Sequence, residues 1–262
     1  MEFRTIVDIP KPDFEIGPCE EMLFVGSCFA SEIGRRFQEE GYPVTINPFG
    51  VMYNPASIFH TIVRWNGKCK TAFLTLGTNH VYRLKETGEI VDNCQKRPQS
   101  LFSEEELTVD ECADYLQKAV DLLRKHNPDI RIVLTVSPIR YRKYGYHESQ
   151  LSKSTLLLAT RQVAGASYFP AYEIMNDELR DYRFYKEDML HPSDQAVEYI
   201  WERLKDNYLS DEAKHFLKEW APLKAVLHHK PFDPDSQEYK DLMDKTMLKI
   251  AELRKKYTTF AL

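Results

Sequence analysis

Short apolar runs of strand length alternate with helical runs along most of this chain, and that alternation constrains the fold more than any other feature. The clearest unit is MLFVGSCFASEIGRRFQEEGYPV, residues 22–44. An apolar run from Met22 to Val25 meets Gly26 and Ser27, after which Phe29, Ile33 and Phe37 recur every four residues and Gly41 offers a C-terminal stop. The spacing predicts a strand, a tight turn and an amphipathic helix. Val44–Ile46 then reads as a strand that enters a loop punctuated by Pro48, Gly50 and Pro55, long for a mere connection, before a short helix from about Ala56. TAFLTLGTNHVYRLKETGEIVDN reads as β structure, with KETGE turning between VYRL and IVD. Thr108, with Glu111 three residues later, opens a helix that carries Cys112, Leu116, Ala119, Val120 and Leu123 on one face. RIVLTVSPI is short and β-branched, as a strand buried on both faces would be. A helix from about Gln150 to Ala164, carrying Leu151, Thr155, Leu158 and Val163, leads into the strand-like ASYFPAYEIM. The tail after DMLHPSDQAVEYIWERL is helical, interrupted near KPFDPDSQ, and reads as a pair of helices.

Such alternation implies an α/β fold: a three-layer α/β/α arrangement with a mostly parallel central sheet, plus a C-terminal helical extension. In that architecture functional groups sit on the loops just beyond the strand C-termini. Length fits one catalytic core with a helical appendage, divided here as residues 1–209 and 210–262. The net charge of −5 is spread without long single-sign blocks, so no nucleic-acid partner is expected. The five cysteines are widely spaced with no C-x-x-C pair, which indicates neither a disulfide framework nor a zinc knuckle and suits a reducing compartment. The N-terminus lacks a charged segment followed by an apolar one, and no apolar run of ~18 residues occurs, so a cytoplasmic protein with no membrane partner is expected.

Three features carry chemistry. Ser27 stands where a strand gives way to a helix, so its hydroxyl can project above the sheet among the first helical N–H groups; an ordinary N-cap serine would occupy the same place. Asp188 and His191 lie three residues apart in a turn before a helix starting at Ser193 or Asp194, a separation that lets a carboxylate orient an imidazole as a base. Gly50 offers a backbone N–H in the second loop and Asn79 a side-chain amide after another strand, candidates for holding an oxyanion. Neither a metal nor an organic cofactor is expected: the histidines show no H-E-x-x-H spacing, and His228 and His229 read as surface residues. Cys28, adjacent to Ser27, is expected to pack. Arg140, Arg142, Lys143, His147 and Lys153 read as a solvated basic face, with contact to a polar substrate as the alternative.

GSCFA at Gly26–Ala30 resembles the signature of the GSCFA family, a branch of the SGNH (GDSL-like) hydrolases. INPFGVMYNP, TLGT-x-x-VY, VDNCQK, TVSPI, HESQLSKSTLLLA and RFYKEDMLHPS look like family segments in order from about residue 20 to 205. The resemblance implies an SGNH-type, flavodoxin-like catalytic domain over residues 1–209, with the helical extension packed on the same core. It implies Ser27 as nucleophile, Asp188 and His191 as the D-x-x-H pair, and an oxyanion hole from the N–H groups of Ser27 and Gly50 with the Asn79 amide. Block I reads G-S-C-F rather than G-D-S, and His80 stands where the wider superfamily has Asp. Asn47 and Asn54 are alternative amide donors, and Asn47, Asn54, His80 and His147 are the candidate substrate contacts. The implied function is a cofactor-independent hydrolysis of a small-molecule or carbohydrate O-acyl ester through an acyl-enzyme on Ser27. A non-catalytic glycan- or partner-binding protein on the same fold and an O-acyltransferase are the alternatives.

Overall fold

Strand β1 (Met22–Gly26) shows how the alternation is used. Its odd- and even-numbered side chains point to opposite faces: Met22 and Phe24 enter one apolar cluster, Leu23 and Val25 another. The same split recurs in β3 (Thr71–Leu76), where Phe73 opposes Ala72, Leu74 and Leu76. In β7 (Arg131–Val136), Val133 opposes Ile132, Leu134 and Val136. With β2 (Val44–Ile46) and β8 (Ser167–Tyr168) these strands form a five-stranded sheet of order β2-β1-β3-β7-β8, parallel throughout. The computed structural model describes residues 4–92 and 97–262; residues 93–96, which include Cys94 and most of the VDNCQK segment, lie outside them.

Helices cover both faces. On the first lie α1 (Cys28–Glu39), contributing Phe29, Ile33 and Phe37, and α6 (Asp194–Tyr208), contributing Val197, Ile200 and Trp201. Stacked Phe24 and Phe73, ring centroids 4.8 Å apart, anchor this layer. The second face is covered by α2 (Pro55–Arg64), α3 (Val109–His126) and α4 (Tyr146–Thr160), through residues such as Ile62, Leu116 and Leu156. The capping box expected at Thr108 is present, with Thr108 and Glu111 exchanging hydrogen bonds. The KETGE turn also forms. It joins β4 (His80–Leu84) to β5 (Ile90–Val91), and β6 (Phe102–Glu106), an acidic strand with little apolar signal, pairs on the other side of β4 in a separate antiparallel sheet.

Two further expectations need correction. ASYFPAYEIM yields only the two-residue β8, because Pro170 ends it and Ala171–Glu173 (α5) begins a helical turn that continues as π-helix over Ile174–Glu178. Helix α4 starts at Tyr146, four residues before the expected Gln150, and buries a different face. Leu151 and Leu158 are exposed, whereas Ser149, Ser152, Lys153, Leu156 and Ala159 face inward.

The tail forms α7 (Asp211–His228) and α8 (Gln237–Lys256), which close over the first layer. Phe216, Trp220, Leu223, Ile250, Leu253, Tyr257 and Phe260 join the cluster that contains Phe24 and Phe37. Trp220 Nε1 donates to Glu39 O at 3.2 Å, Lys224 pairs with Glu40 at 2.7 Å, and Ala261 N donates to Gly41 O at 2.9 Å, so the tail seals the end of α1. Among the described residues no helix is long and apolar enough to cross a membrane.

Candidate active site

Numbered within the parallel sheet alone, the strands run 2-1-3-4-5, so connections leave β1 and β3 toward opposite faces, and the C-terminal ends of these two strands are where folds of this order carry their sites. Ser27 follows β1 at that switch point and Gly77 follows β3 beside it. Gly26 makes the turn possible: it lies at φ +142°, and a Cβ there would fall 2.1 Å from Thr75 O. Asn47, itself at φ +41°, secures the turn, accepting from Gly26 N at 2.8 Å and donating from Nδ2 to Ser31 Oγ at 2.9 Å. Ser27 is the N-cap of α1, its Oγ accepting from Phe29 N at 3.3 Å, and it is fully buried.

Asp188 and His191 form the expected pair. Asp188 Oδ2 lies 2.6 Å from His191 Nδ1, and because an ionised carboxylate only accepts, Nδ1 is the donor of this contact and Nε2 is not engaged by the carboxylate. Asp188 Oδ1 accepts from His191 N at 3.0 Å and Leu190 N at 2.8 Å. These bonds, the backbone N–H of His191 foremost, hold the Asp188 carboxyl down at about 2. Arg140, in the loop after β7, stitches the turn to the sheet: its N donates to Leu190 O and its Nη1 to Met189 O, both at 3.0 Å. Both side chains of the pair are more than a third exposed, and no hydrogen bond joins His191 to Ser27 among the described residues.

The expected oxyanion donors are committed elsewhere. The Ser27 N–H continues the parallel ladder to Thr75 O at 3.1 Å. The Gly50 N–H closes a turn on Asn47 O at 2.9 Å. The Asn79 amide donates to Leu107 O at 2.8 Å, locking the segment before α3 to the end of β3, and leaves its Oδ1 buried without a partner among the described residues. Of the alternative amides, Asn47 is consumed by the turn, while Asn54 caps α2 through Oδ1, which accepts from Ser57 N at 2.9 Å, and its Nδ2 donates to no described residue. Cys28, first in α1, has no carbonyl one turn earlier in the helix for its N–H.

His80, expected as a substrate contact, is enclosed by its neighbours. It is buried, stacked on Tyr144 with centroids 3.7 Å apart and flanked by Glu104 and Glu106, and burial lowers its pKa. His147 is exposed in the first turn of α4. Lys153, read as part of a solvated face, is instead wholly buried, its Nζ donating to Gly77 O at 2.6 Å and Ser137 O at 2.8 Å. Burial pushes its pKa down to about 7. Ser152 Oγ accepts from Asn79 N at 3.0 Å and lies 3.0 Å from Thr78 Oγ1, and Ser149 Oγ accepts from Tyr141 N at 3.2 Å. One polar stripe of α4 thus fixes the loops after β3 and β7. The signal was present as Ser149, Ser152 and Lys153 at three- and four-residue spacing, among leucines that drew the apolar face elsewhere.

Models of the GSCFA family match residues 21–72 and 64–204, and one of the GSCFA domain protein C-terminal domain matches 220–262. The chain belongs to the GSCFA family. Its pentapeptide is the β1–α1 turn just described, and its D-x-x-H is the turn held by Arg140. No curated protein matches this GSCFA chain in sequence. Among solved structures it is similar to a carbohydrate esterase family 3 protein from Talaromyces cellulolyticus, at 11% identity and TM-score 0.41, over 76% of this chain and 99% of that one. It is also similar to an acetyl-xylooligosaccharide esterase from Geobacillus Stearmophilus, at 12% identity and TM-score 0.42, over 74% and 96%. Likenesses this distant carry no argument about chemistry.

Proposed function

We propose that this protein is a serine-dependent acyl-ester hydrolase acting on a small O-acyl ester, carbohydrate-linked esters being the substrate class to screen first. The observation that carries the reading is the 2.6 Å Asp188–His191 pair, tied by Arg140 to the same edge of the sheet at which Ser27 follows β1. His191 Nε2 removes the Ser27 proton as Oγ attacks the ester carbonyl, and the alcohol leaves with that proton. Water, deprotonated by the same nitrogen, then releases the acid, while Asp188 stabilises the imidazolium in both halves. The Cys28 N–H, next in sequence, and the Asn54 amide, in the loop after β2, are uncommitted donors among the described residues and suit the oxyanion better than the Ser27 and Gly50 N–H groups, which are already bonded.

The full burial of Ser27 favours a second reading, a protein that binds a ligand on this fold without turning it over. Intact-mass spectrometry after exposure to a fluorophosphonate separates the two. The hydrolase reading expects one adduct on the wild type, none on Ser27→Ala and slow labelling of His191→Ala. A folded wild type that stays unlabelled while hydrolysing no ester refutes it.

A further inference from the structure

Tyr141, in the loop after β7, carries a hydroxyl that is buried and has no hydrogen-bond partner among the described residues. A buried hydroxyl left unpaired costs free energy that a fold normally avoids, so its surroundings matter. The hydroxyl lies over Gly77: a Cβ at Gly77 would come within 2.3 Å of it, and within 2.9 Å of Tyr53 O. Gly77 is the residue after β3, and β3 pairs with β1 up to Gly26 opposite Thr75, so the hydroxyl stands beside the strand end that presents Ser27. It is also near enough to the Cys28 thiol and the Tyr53 phenol to interact electrostatically with both. The ring is held firmly. Its backbone N donates to Ser149 Oγ, its face meets the Tyr53 ring edge-on at 6.1 Å, and the Lys153 Nζ lies 4.9 Å from its centroid while gripping Gly77 O.

We propose that the Tyr141 hydroxyl donates a hydrogen bond to the oxyanion formed when Ser27 attacks the ester, in the place that the resemblance assigned to the Asn79 amide. This rests on the hydrolase reading above and deepens it. The donor is held in place by its packing and lacks a competing acceptor among the described residues, the condition under which such a group stabilises developing charge most. Burial raises its pKa well above the usual phenol value, so it remains an O–H donor throughout the working pH range. The proton stays on the phenol. The nearby Lys153 nitrogen steadies the ring and, when protonated, adds favourable charge behind it.

The test compares the wild type with Tyr141→Phe, using p-nitrophenyl acetate hydrolysis, fluorophosphonate labelling of Ser27 and thermal unfolding. Because the substitution removes only an unpartnered hydroxyl, Tm is expected to hold or rise, while kcat falls about 100-fold at little-changed KM and labelling slows in parallel. A merely structural tyrosine would show the reverse, a lower Tm with activity per folded molecule kept. If the wild type labels and hydrolyses but Tyr141→Phe stays within threefold of it, the assignment of Tyr141 is overturned and the hydrolase reading survives. If the wild type neither labels nor hydrolyses, the hydrolase reading falls and the role of Tyr141 falls with it.

Discussion

Replacing Lys153 by Met tests whether the buried amine is held against its normal charge state. In the unfolded chain a lysine keeps its proton to about pH 10.4, whereas burial brings the folded value to about 7. Between those limits the unfolded state binds more protons, so stability rises with pH. Integrated from pH 7 to pH 9, this one group adds about 2 kcal/mol to the wild type. Lys153→Met lacks the contribution, and it also leaves Gly77 O and Ser137 O without their donor, a loss of about 1–3 kcal/mol each that does not vary with pH. Urea unfolding of both proteins at pH 7, 8 and 9, with unchanged m-values, isolates the lysine, because other titrating groups cancel in the difference. That cancellation covers Cys19, Cys69 and Cys112, whose thiols burial pushes up to about 12. The expected result is a stability gap that widens by about 2 kcal/mol in favour of the wild type between pH 7 and pH 9. A gap constant across those three pH values refutes the argument and means that Lys153 keeps an ordinary charge state inside the fold.

Asp188→Asn is expected to lower kcat/KM toward p-nitrophenyl acetate by up to about 10⁴-fold while leaving the fold intact, since the amide cannot hold His191 in the tautomer set by the 2.6 Å contact. The wild-type carboxyl, held at about 2, stays charged above about pH 3, so activity lost on mild acidification is not expected to follow Asp188 protonation; a pH–rate profile of Asp188→Glu beside the wild type checks this. Gly26→Ala puts a methyl 2.1 Å from Thr75 O at a positive φ and is expected to destabilise by more than about 3 kcal/mol, read as a collapse of the urea midpoint or loss of soluble protein. Phe260→Ala, removing a ring packed 5.0 Å from Trp220 and 5.4 Å from Phe216, is expected to cost about 3–5 kcal/mol, showing in denaturant that the tail shares the stability of the core.

The elements legible in the sequence are those whose signal is local. The β1–α1 unit, the Thr108 capping box, the KETGE hairpin and the Ser193 cap each depend on residues within a few positions of one another, and each is present. The Asp188–His191 pair was legible for the same reason: a three-residue turn brings the two side chains together with no help from elsewhere in the chain. Whether the expected oxyanion donors were free was not legible, because two of them meet acceptors far off in sequence. The Ser27 N–H bonds Thr75 O. Asn79 is taken by Leu107, 28 positions away, and nothing in GTNH shows it. The buried side of α4 was misread because leucine at helical spacing is the usual mark of a core face, and here two leucines point outward so that serines and a lysine can reach backbone groups in the loops.

That inversion explains how polar backbone groups beside Ser27 can be buried while remaining satisfied. The loops after β3 and β7 carry backbone groups that water would satisfy if the loops were exposed, but here those groups are buried at the C-terminal ends of the strands. Helix α4 supplies the missing partners from within: Ser149 for Tyr141 N, Ser152 for Asn79 N, and Lys153 for Gly77 O and Ser137 O. With those groups satisfied by fixed side chains, no mobile water is needed to solvate them, and the buried Ser27 and Tyr141 hydroxyls stand in surroundings of lower dielectric than the exposed Asp188–His191 pair. A hydrogen bond or charge offered there acts more strongly than it would in solvent. The same economy accounts for Gly77, whose missing side chain lets Tyr141 close over the strand end. The stability carried by α4 and the reactivity assigned to Ser27 therefore depend on one set of contacts, which is why Lys153→Met is expected to disturb both together.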